Sequence, residues 1–136
     1  MDLLKQKLRK AGLVPTRQRV LVLQSMLQRK DHPYVDLVLT DLRALLPSLS
    51  TDTVYRTLHA YAERGLIQRL ALPIRRACFD GNVLSHDHFV CIRCELVLDL
   101  PPASPEQMDL GVPMDRIAEI HTVQQVSTGV CRDCAR

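Results

Sequence analysis

Residues 50–65, STDTVYRTLHAYAERG, carry a complete set of helix signals. Ser50 or Thr51 is a natural N-cap, and Gly65 is a natural C-terminal stop. Val54, Leu58 and Tyr61 fall at i, i+4 and i+7 and predict an inward face. Asp52, Tyr55, Arg56, His59 and Glu63 fall on the opposite, outward face. One amphipathic helix does not fix a fold, so the flanking segments matter.

Upstream, the pattern stays helical. A short amphipathic segment covers 2–11 and stops at Gly12. Pro15-Thr16 opens a second helix with Val20, Leu23, Met26 and Leu27 on one face. It ends near His32-Pro33, because the residue before a proline is pushed out of the α region. A third helix is predicted over 35–46, with Val38, Leu42, Leu45 and Leu46 on one side, and Pro47 closes it. Downstream, LIQRLAL (66–72) and RRACFD (75–80) are short strand-like runs with Pro73 between them, which suits a hairpin. Three helices and a hairpin are the layout of a winged helix-turn-helix.

GNVLS (81–85) is polar and marks a predicted hinge. The charge balance flips there: residues 1–80 carry 14 Lys/Arg against 7 Asp/Glu, and residues 81–136 carry 4 against 8. A basic half suits a polyanion partner, and Lys5, Lys7, Arg9, Lys10, Arg17 and Arg19 could hold phosphates. Beyond the hinge come strand candidates at 87–92 and 95–100, a turn at PPASP (101–105), a helical stretch near 105–119 and a strand candidate at 120–130. The expected class is α+β, with a first domain over 1–80 and a second over 86–136. At 136 residues, 46% hydrophobic and 24% charged, the chain fits one domain or two small ones. No apolar run is long enough to span a membrane, and MDLLKQKLRK has no signal-peptide character. The expected compartment is the cytoplasm, where cysteines stay reduced.

In that compartment paired cysteines point to metal or redox chemistry. Cys91-x-x-Cys94 and Cys131-x-x-Cys134 are two matching knuckles separated by 36 residues. Together they would complete a tetrahedral Zn²⁺ shell and tie down the C-terminal end of the sequence. Two disulfides or a redox dithiol are the competing readings, and neither needs two matching knuckles. Cys78 reads as a small buried hydrophobe. His86 and His88 lie two apart, so in a strand they share a face and Asp87 points away. Asp99 could lie beside them from the next strand, whereas Asp80 and His32 sit at the ends of other elements. Spacing alone does not bring these five together. A zinc hydrolase or deaminase would need an open zinc position and an H-x-E general acid/base; here the residue between the histidines is aspartate, and four thiolates would saturate the zinc.

PTRQR (15–19), HP (32–33), STDTVYRTL (50–58), GLI (65–67), FD (79–80), HDHFVCIRC (86–94) and GVCRDC (129–134) together resemble the ferric uptake regulator family of metal-dependent bacterial transcription factors. The resemblance covers nearly the whole chain. It implies an N-terminal winged helix-turn-helix domain plus a small C-terminal α/β dimerisation domain with structural zinc on Cys91, Cys94, Cys131 and Cys134. It implies a regulatory metal (Fe²⁺ or Mn²⁺, with Zn²⁺ possible) on His32, Asp80, His86, His88 and Asp99. It also implies a homodimer on a double-stranded DNA operator of two-fold symmetry. The expected DNA contacts are Arg17, Arg19, Thr53, Tyr55 and Arg56. Aspartate at 80 and 99 resembles the peroxide-sensing branch, in which His32 and His86 would be the oxidation-sensitive ligands. An iron- or manganese-uptake repressor without peroxide sensing is the alternative. Some family members hold another metal through histidines at the positions of Ser85 and Val123, so that additional site is not expected here.

Overall fold

The computed structural model describes residues 2–84, 86–102, 111, 113, 115–121 and 123–136. Two compact units divide the chain, Met1–Val83 and Leu84–Arg136. The class is α+β: a winged helix-turn-helix and a small sheet unit.

Four helices build the first unit: α1 (Asp2–Lys10), α2 (Arg17–Gln28), α3 (Val35–Leu42) and α4 (Thr51–Glu63). Side-chain caps start two of them. Thr16 accepts the Arg19 N–H at 3.2 Å, and Ser50 Oγ accepts the Thr53 N–H at 3.2 Å. Gly65 ends α4 in the left-handed region at φ 73°, and the Leu66 N–H turns back to the Tyr61 carbonyl at 2.9 Å. Val54, Leu58 and Tyr61 are fully buried as the periodicity requires, among Leu8, Val20, Leu23 and Phe79.

Two helical stripes differ from expectation. On α2, Leu27 is exposed and Val22 is buried in its place, because the helix presents more than one side to its neighbours. α3 stops at Leu42, four residues before the predicted end, so Leu45 leaves the apolar stripe and is exposed. The wing is also shorter than predicted. β1 (Gln68–Leu70) and β2 (Cys78–Asp80) pair antiparallel, with Leu70 opposite Cys78 and Gln68 opposite Asp80. Pro73 lies in the intervening segment, where it removes a backbone donor. Cys78 is buried, as its reading as a small hydrophobe required.

Gly81, the first residue of the predicted hinge segment, packs closely against α2. A Cβ placed there would lie 2.5 Å from the Met26 carbonyl oxygen. The glycine lets the end of the wing approach the backbone of α2.

Among the described residues, the second unit forms a three-stranded sheet in the order β4-β3-β5, from β3 (Asp87–Cys91), β4 (Val97–Leu100) and β5 (Val126–Gly129). β3 is antiparallel to β4 and parallel to β5. β5 is much shorter than the expected strand over 120–130. The helix expected near 105–119 lies mostly outside the described residues; of its span, Asp115 and Arg116 form a turn in which the Arg116 N–H meets the Pro113 carbonyl at 2.8 Å.

Candidate metal centres and DNA-facing helix

Cys91 ends β3, and the chain turns at once toward β4. The Glu95 N–H donates to the Cys91 carbonyl at 3.0 Å and the Cys91 N–H to the Leu96 carbonyl at 2.9 Å. Glu95 takes a left-handed φ of 62° to close this turn, which presents Cys94 beside Cys91. The parallel pairing of β3 with β5 sets Gly129 opposite Cys91, so Cys131 arrives two residues later. Arg93 then fixes the second knuckle by donating to the Cys134 carbonyl at 2.9 Å.

The four sulfurs lie within 4.8 Å of one another. Cys94 and Cys131 are 3.7 Å apart, far beyond the roughly 2.05 Å of a disulfide. A tetrahedral zinc with bonds of about 2.3 Å has sulfurs about 3.8 Å apart, so the cluster fits that ion. Its acidity is divided. The Cys131 N–H, 3.3 Å from Cys91 Sγ, leads the backbone donors that pull the Cys91 thiol down to about 6. Hydrogen bonding to Cys131 and then to Cys94 pushes Cys134 up to about 12. Four thiolates this close need a cation to ionise together.

A second constellation lies in the same unit. β3 and β4 pair with His88 opposite Asp99. His86 precedes β3 by one residue and shares the side of His88, with ring centroids 4.5 Å apart. Asp87 is on the other side, buried, and accepts the Gln125 N–H at 2.9 Å, which ties the segment to the start of β5. One carboxylate oxygen, Asp99 Oδ1, is 3.1 Å from His86 Nε2 and 3.4 Å from His88 Nε2. His86 Nδ1 is 2.6 Å from the Leu84 carbonyl. A carbonyl only accepts, so Nδ1 carries the proton and a neutral His86 turns an Nε2 lone pair toward Asp99. Two acceptors at that distance repel unless a cation or a second imidazole proton intervenes. Nitrogen and carboxylate donors suit Fe²⁺ or Mn²⁺ and also accept Zn²⁺.

The first unit holds a smaller pair. His32 Nε2 is 3.3 Å from Asp80 Oδ2, and both side chains are buried. Two devices place His32 there. The Phe79 N–H donates to the Pro33 carbonyl at 3.1 Å, joining its loop to β2. At the other end Arg29 holds Asp31 through two 2.8 Å bonds and also bonds Asp41 of α3. The Arg29 hydrogen bond keeps the Asp31 carboxyl below its ordinary range. Sequence patterns do not announce this clamp. Arg29, Asp31 and Asp41 are common surface residues, and their meeting depends on the angle between α2 and α3. The role of Leu84 is equally silent, because a backbone carbonyl leaves no sequence signal.

On the outward face of α4, Arg56 pairs with Asp52 at 2.7 Å, and the Tyr55 and His59 rings stack with centroids 6.2 Å apart. Thr53 Oγ1 is 2.9 Å from Ser50 Oγ, so its hydroxyl already serves the cap. Arg17 bonds the Leu45 carbonyl at 3.5 Å and Arg19 the Val14 carbonyl at 2.8 Å. The backbone of Arg19 also accepts the Tyr61 hydroxyl at 2.6 Å, which locks α4 onto α2.

Comparison with known proteins places this arrangement. A model of the ferric uptake regulator family matches residues 10–126. The peroxide-responsive repressor PerR of Staphylococcus epidermidis is 27% identical over 128 residues, covering 93% of this chain and 85% of that protein. A ferric uptake regulator from Pseudomonas aeruginosa, solved with manganese, is 27% identical with a TM-score of 0.76, covering 94% of this chain and 97% of that one. A Campylobacter jejuni peroxide stress regulator is also 27% identical, with a TM-score of 0.67, covering 98% of this chain and 97% of that one. These relatives are regulators.

Proposed function

The chain belongs to the ferric uptake regulator family of metal-responsive transcriptional repressors, and we propose that one exchangeable cation, shared by its two units, sets its grip on DNA. The cation would be held by His32 and Asp80 from the first unit and by His86, His88 and Asp99 from the second. The observation that carries this reading is the convergence of His86 Nε2 and His88 Nε2 on one Asp99 oxygen, with His86 fixed in the ligating tautomer by Leu84. Asp99 is 45% exposed whereas both imidazoles are buried, which gives the ion a route in and out. Cys91, Cys94, Cys131 and Cys134 would hold Zn²⁺ in a closed shell that anchors the knuckles.

The protein would act in the cytoplasm as a homodimer. Two copies of α4 then face one duplex, and the operator has two-fold symmetry. Tyr55 and Arg56 read base edges, while Thr53, Arg17 and Arg19 position the backbone. Ligands from both units restrict the orientations the two can take, and DNA selects the one with correctly spaced α4 helices.

The peroxide-sensing branch is the reading we favour, because aspartate stands at both 80 and 99 and peroxide-responsive repressors are among the relatives. Fe²⁺ held there would supply the electron that reduces hydrogen peroxide. The hydroxyl radical formed beside hydroxide would add to the imidazole of His32 or His86. The adduct would lose its remaining electron to ferric iron and its proton to the hydroxide, so that one oxygen enters the ring and one water leaves. The oxidised ring no longer offers its nitrogen lone pair to the ligand set, and DNA is released. The manganese-bound Pseudomonas regulator, equally identical, favours a second reading as a plain metal sensor.

Operator affinity by fluorescence anisotropy, with Fe²⁺, Mn²⁺ and Zn²⁺ in turn, tests the core. Affinity indifferent to all three overturns it. Peptide mass spectrometry of the Fe²⁺ form after peroxide separates the branches. One added oxygen on the His32 or His86 peptide supports peroxide sensing, and unchanged masses leave the metal sensor.

A further inference from the structure

The loop that carries His32 extends the small sheet of the first unit. Tyr34 pairs antiparallel with Cys78, and the Phe79 N–H donates to the Pro33 carbonyl at 3.1 Å. β2 therefore lies between β1 and the extended run 32–34. On that register His32 stands opposite Asp80, and their side chains meet at 3.3 Å. Tyr34, two residues on, is half-buried and faces a different neighbour. Its ring centroid lies 4.2 Å from the Arg76 guanidinium, which also reaches Asp36 of α3 at 3.5 Å. Tyr34, Asp36 and Arg76 line a cavity of about 190 Å³ whose far wall is Tyr55 of α4. One short run of backbone thus joins a pair of candidate metal ligands to side chains that border the outward face of α4.

We propose that Tyr34 is a positioning residue that carries the state of the His32–Asp80 pair to Tyr55 inside the first unit, through the Arg76 guanidinium stacked on its ring. The inference rests on the reading of a regulatory cation on His32 and Asp80 and of α4 as the DNA-facing helix. When His32 and Asp80 share a cation, they lose their freedom to slide past one another. The run 32–34 is hydrogen-bonded to β2, so fixing His32 against Asp80 also fixes the backbone of Tyr34. An aromatic ring has few rotatable bonds, and the guanidinium on its face is held by charge on one side and by Asp36 on the other. The cavity wall shared by Arg76 and Tyr55 is then set by the same backbone that sets the ligand pair. Such a link is a coupling between two sites of one unit, and it acts beside any restriction on how the two units are oriented.

The test uses the zinc-bound full chain and a duplex that Mn²⁺-loaded wild type selects from a random-sequence library. Wild type, Tyr34→Phe, Tyr34→Leu, Arg76→Ala and the double variant Tyr34→Leu/Arg76→Ala are compared by the gain in duplex affinity that saturating Mn²⁺ produces. Calorimetry measures Mn²⁺ affinity alongside. Tyr34→Leu should bind Mn²⁺ nearly as wild type does, yet its gain should shrink by about fivefold or more. Tyr34→Phe keeps the ring and should keep the gain. The double variant should lose little more than Tyr34→Leu alone, because both changes break one link. A second readout needs no DNA. The chain has three tyrosines and no tryptophan, so fluorotyrosine labelling gives one fluorine line for each. Diamagnetic Zn²⁺ added beyond the structural equivalent should move the lines of Tyr34 and Tyr55 in wild type, and only that of Tyr34 in Arg76→Ala. A Tyr34→Leu protein with the wild-type gain overturns the link. So does one whose gain falls only because Mn²⁺ no longer binds, which makes Tyr34 a brace for His32. If wild type shows no gain, or His32→Ala gains like wild type, the reading of the regulatory cation falls and the link with it.

Discussion

Cys91 occupies the end of a strand, the start of a tight turn and the point where β5 delivers Cys131, and the backbone donors gathered there make it the thiol pulled down to about 6. It is the natural first ligand for zinc, with the other thiols ionising as the ion arrives. Cys131→Ser should leave well under one zinc per chain by elemental analysis and lower the melting temperature by ~10 °C or more. Cys78→Ala, outside the cluster, should keep the zinc. Tyr61 shows a neutral interaction of similar importance. Burial pushes its phenol up, so the hydroxyl stays protonated and keeps its bond to the Arg19 carbonyl. Tyr61→Phe should cost about 1 kcal/mol in denaturant unfolding and leave the metal response unchanged. The cysteine pairs and the shared face of His86 and His88 are legible from spacing. The Leu84 carbonyl that sets the His86 tautomer is not, because every residue has one.

Among the elements, α4 is the most legible, since cap, stop and periodicity agree from Ser50 to Gly65. The wing and α3 are shorter than their patterns suggest, because apolar residues continue past the paired strands and into the turns that follow Leu42, where the Leu46 N–H still reaches the Leu42 carbonyl at 2.8 Å. Gly81 opens the predicted hinge segment and also serves close packing, which the sequence does not announce. Gly81→Ala would drive a methyl onto the Met26 carbonyl, a backbone atom that cannot rotate away. We expect a loss of about 1–3 kcal/mol by urea unfolding. The loop of His32 depends on the Arg29 clamp. Arg29→Ala should weaken Mn²⁺ binding severalfold by calorimetry, while operator affinity at saturating Mn²⁺ stays close to wild type. The clamp also has a pH signature. Asp31 is held below its ordinary range, so its contribution is complete above the unfolded aspartate value, about 3.9. That contribution disappears as pH falls through the lower folded value. Asp31→Asn should abolish this acid-side component of the unfolding profile.

At the scale of the whole molecule, the charge division between residues 1–80 and 81–136 is the plainest sequence signal. It divides a basic half from an acidic one, and the proposed regulatory ligands are drawn from both. Hidden from the sequence is the parallel pairing of β3 with β5, which joins two knuckles 36 residues apart. Our central claim is that one cation takes ligands from both units. Its most direct test is the Mn²⁺ dependence of operator affinity in His32→Ala and His88→Ala, with zinc content measured alongside. Both variants should lose the Mn²⁺-induced gain while retaining one zinc per chain. A His32→Ala protein that responds to Mn²⁺ like wild type, beside a His88→Ala protein that does not, would contradict the claim and confine the regulatory ion to the C-terminal unit.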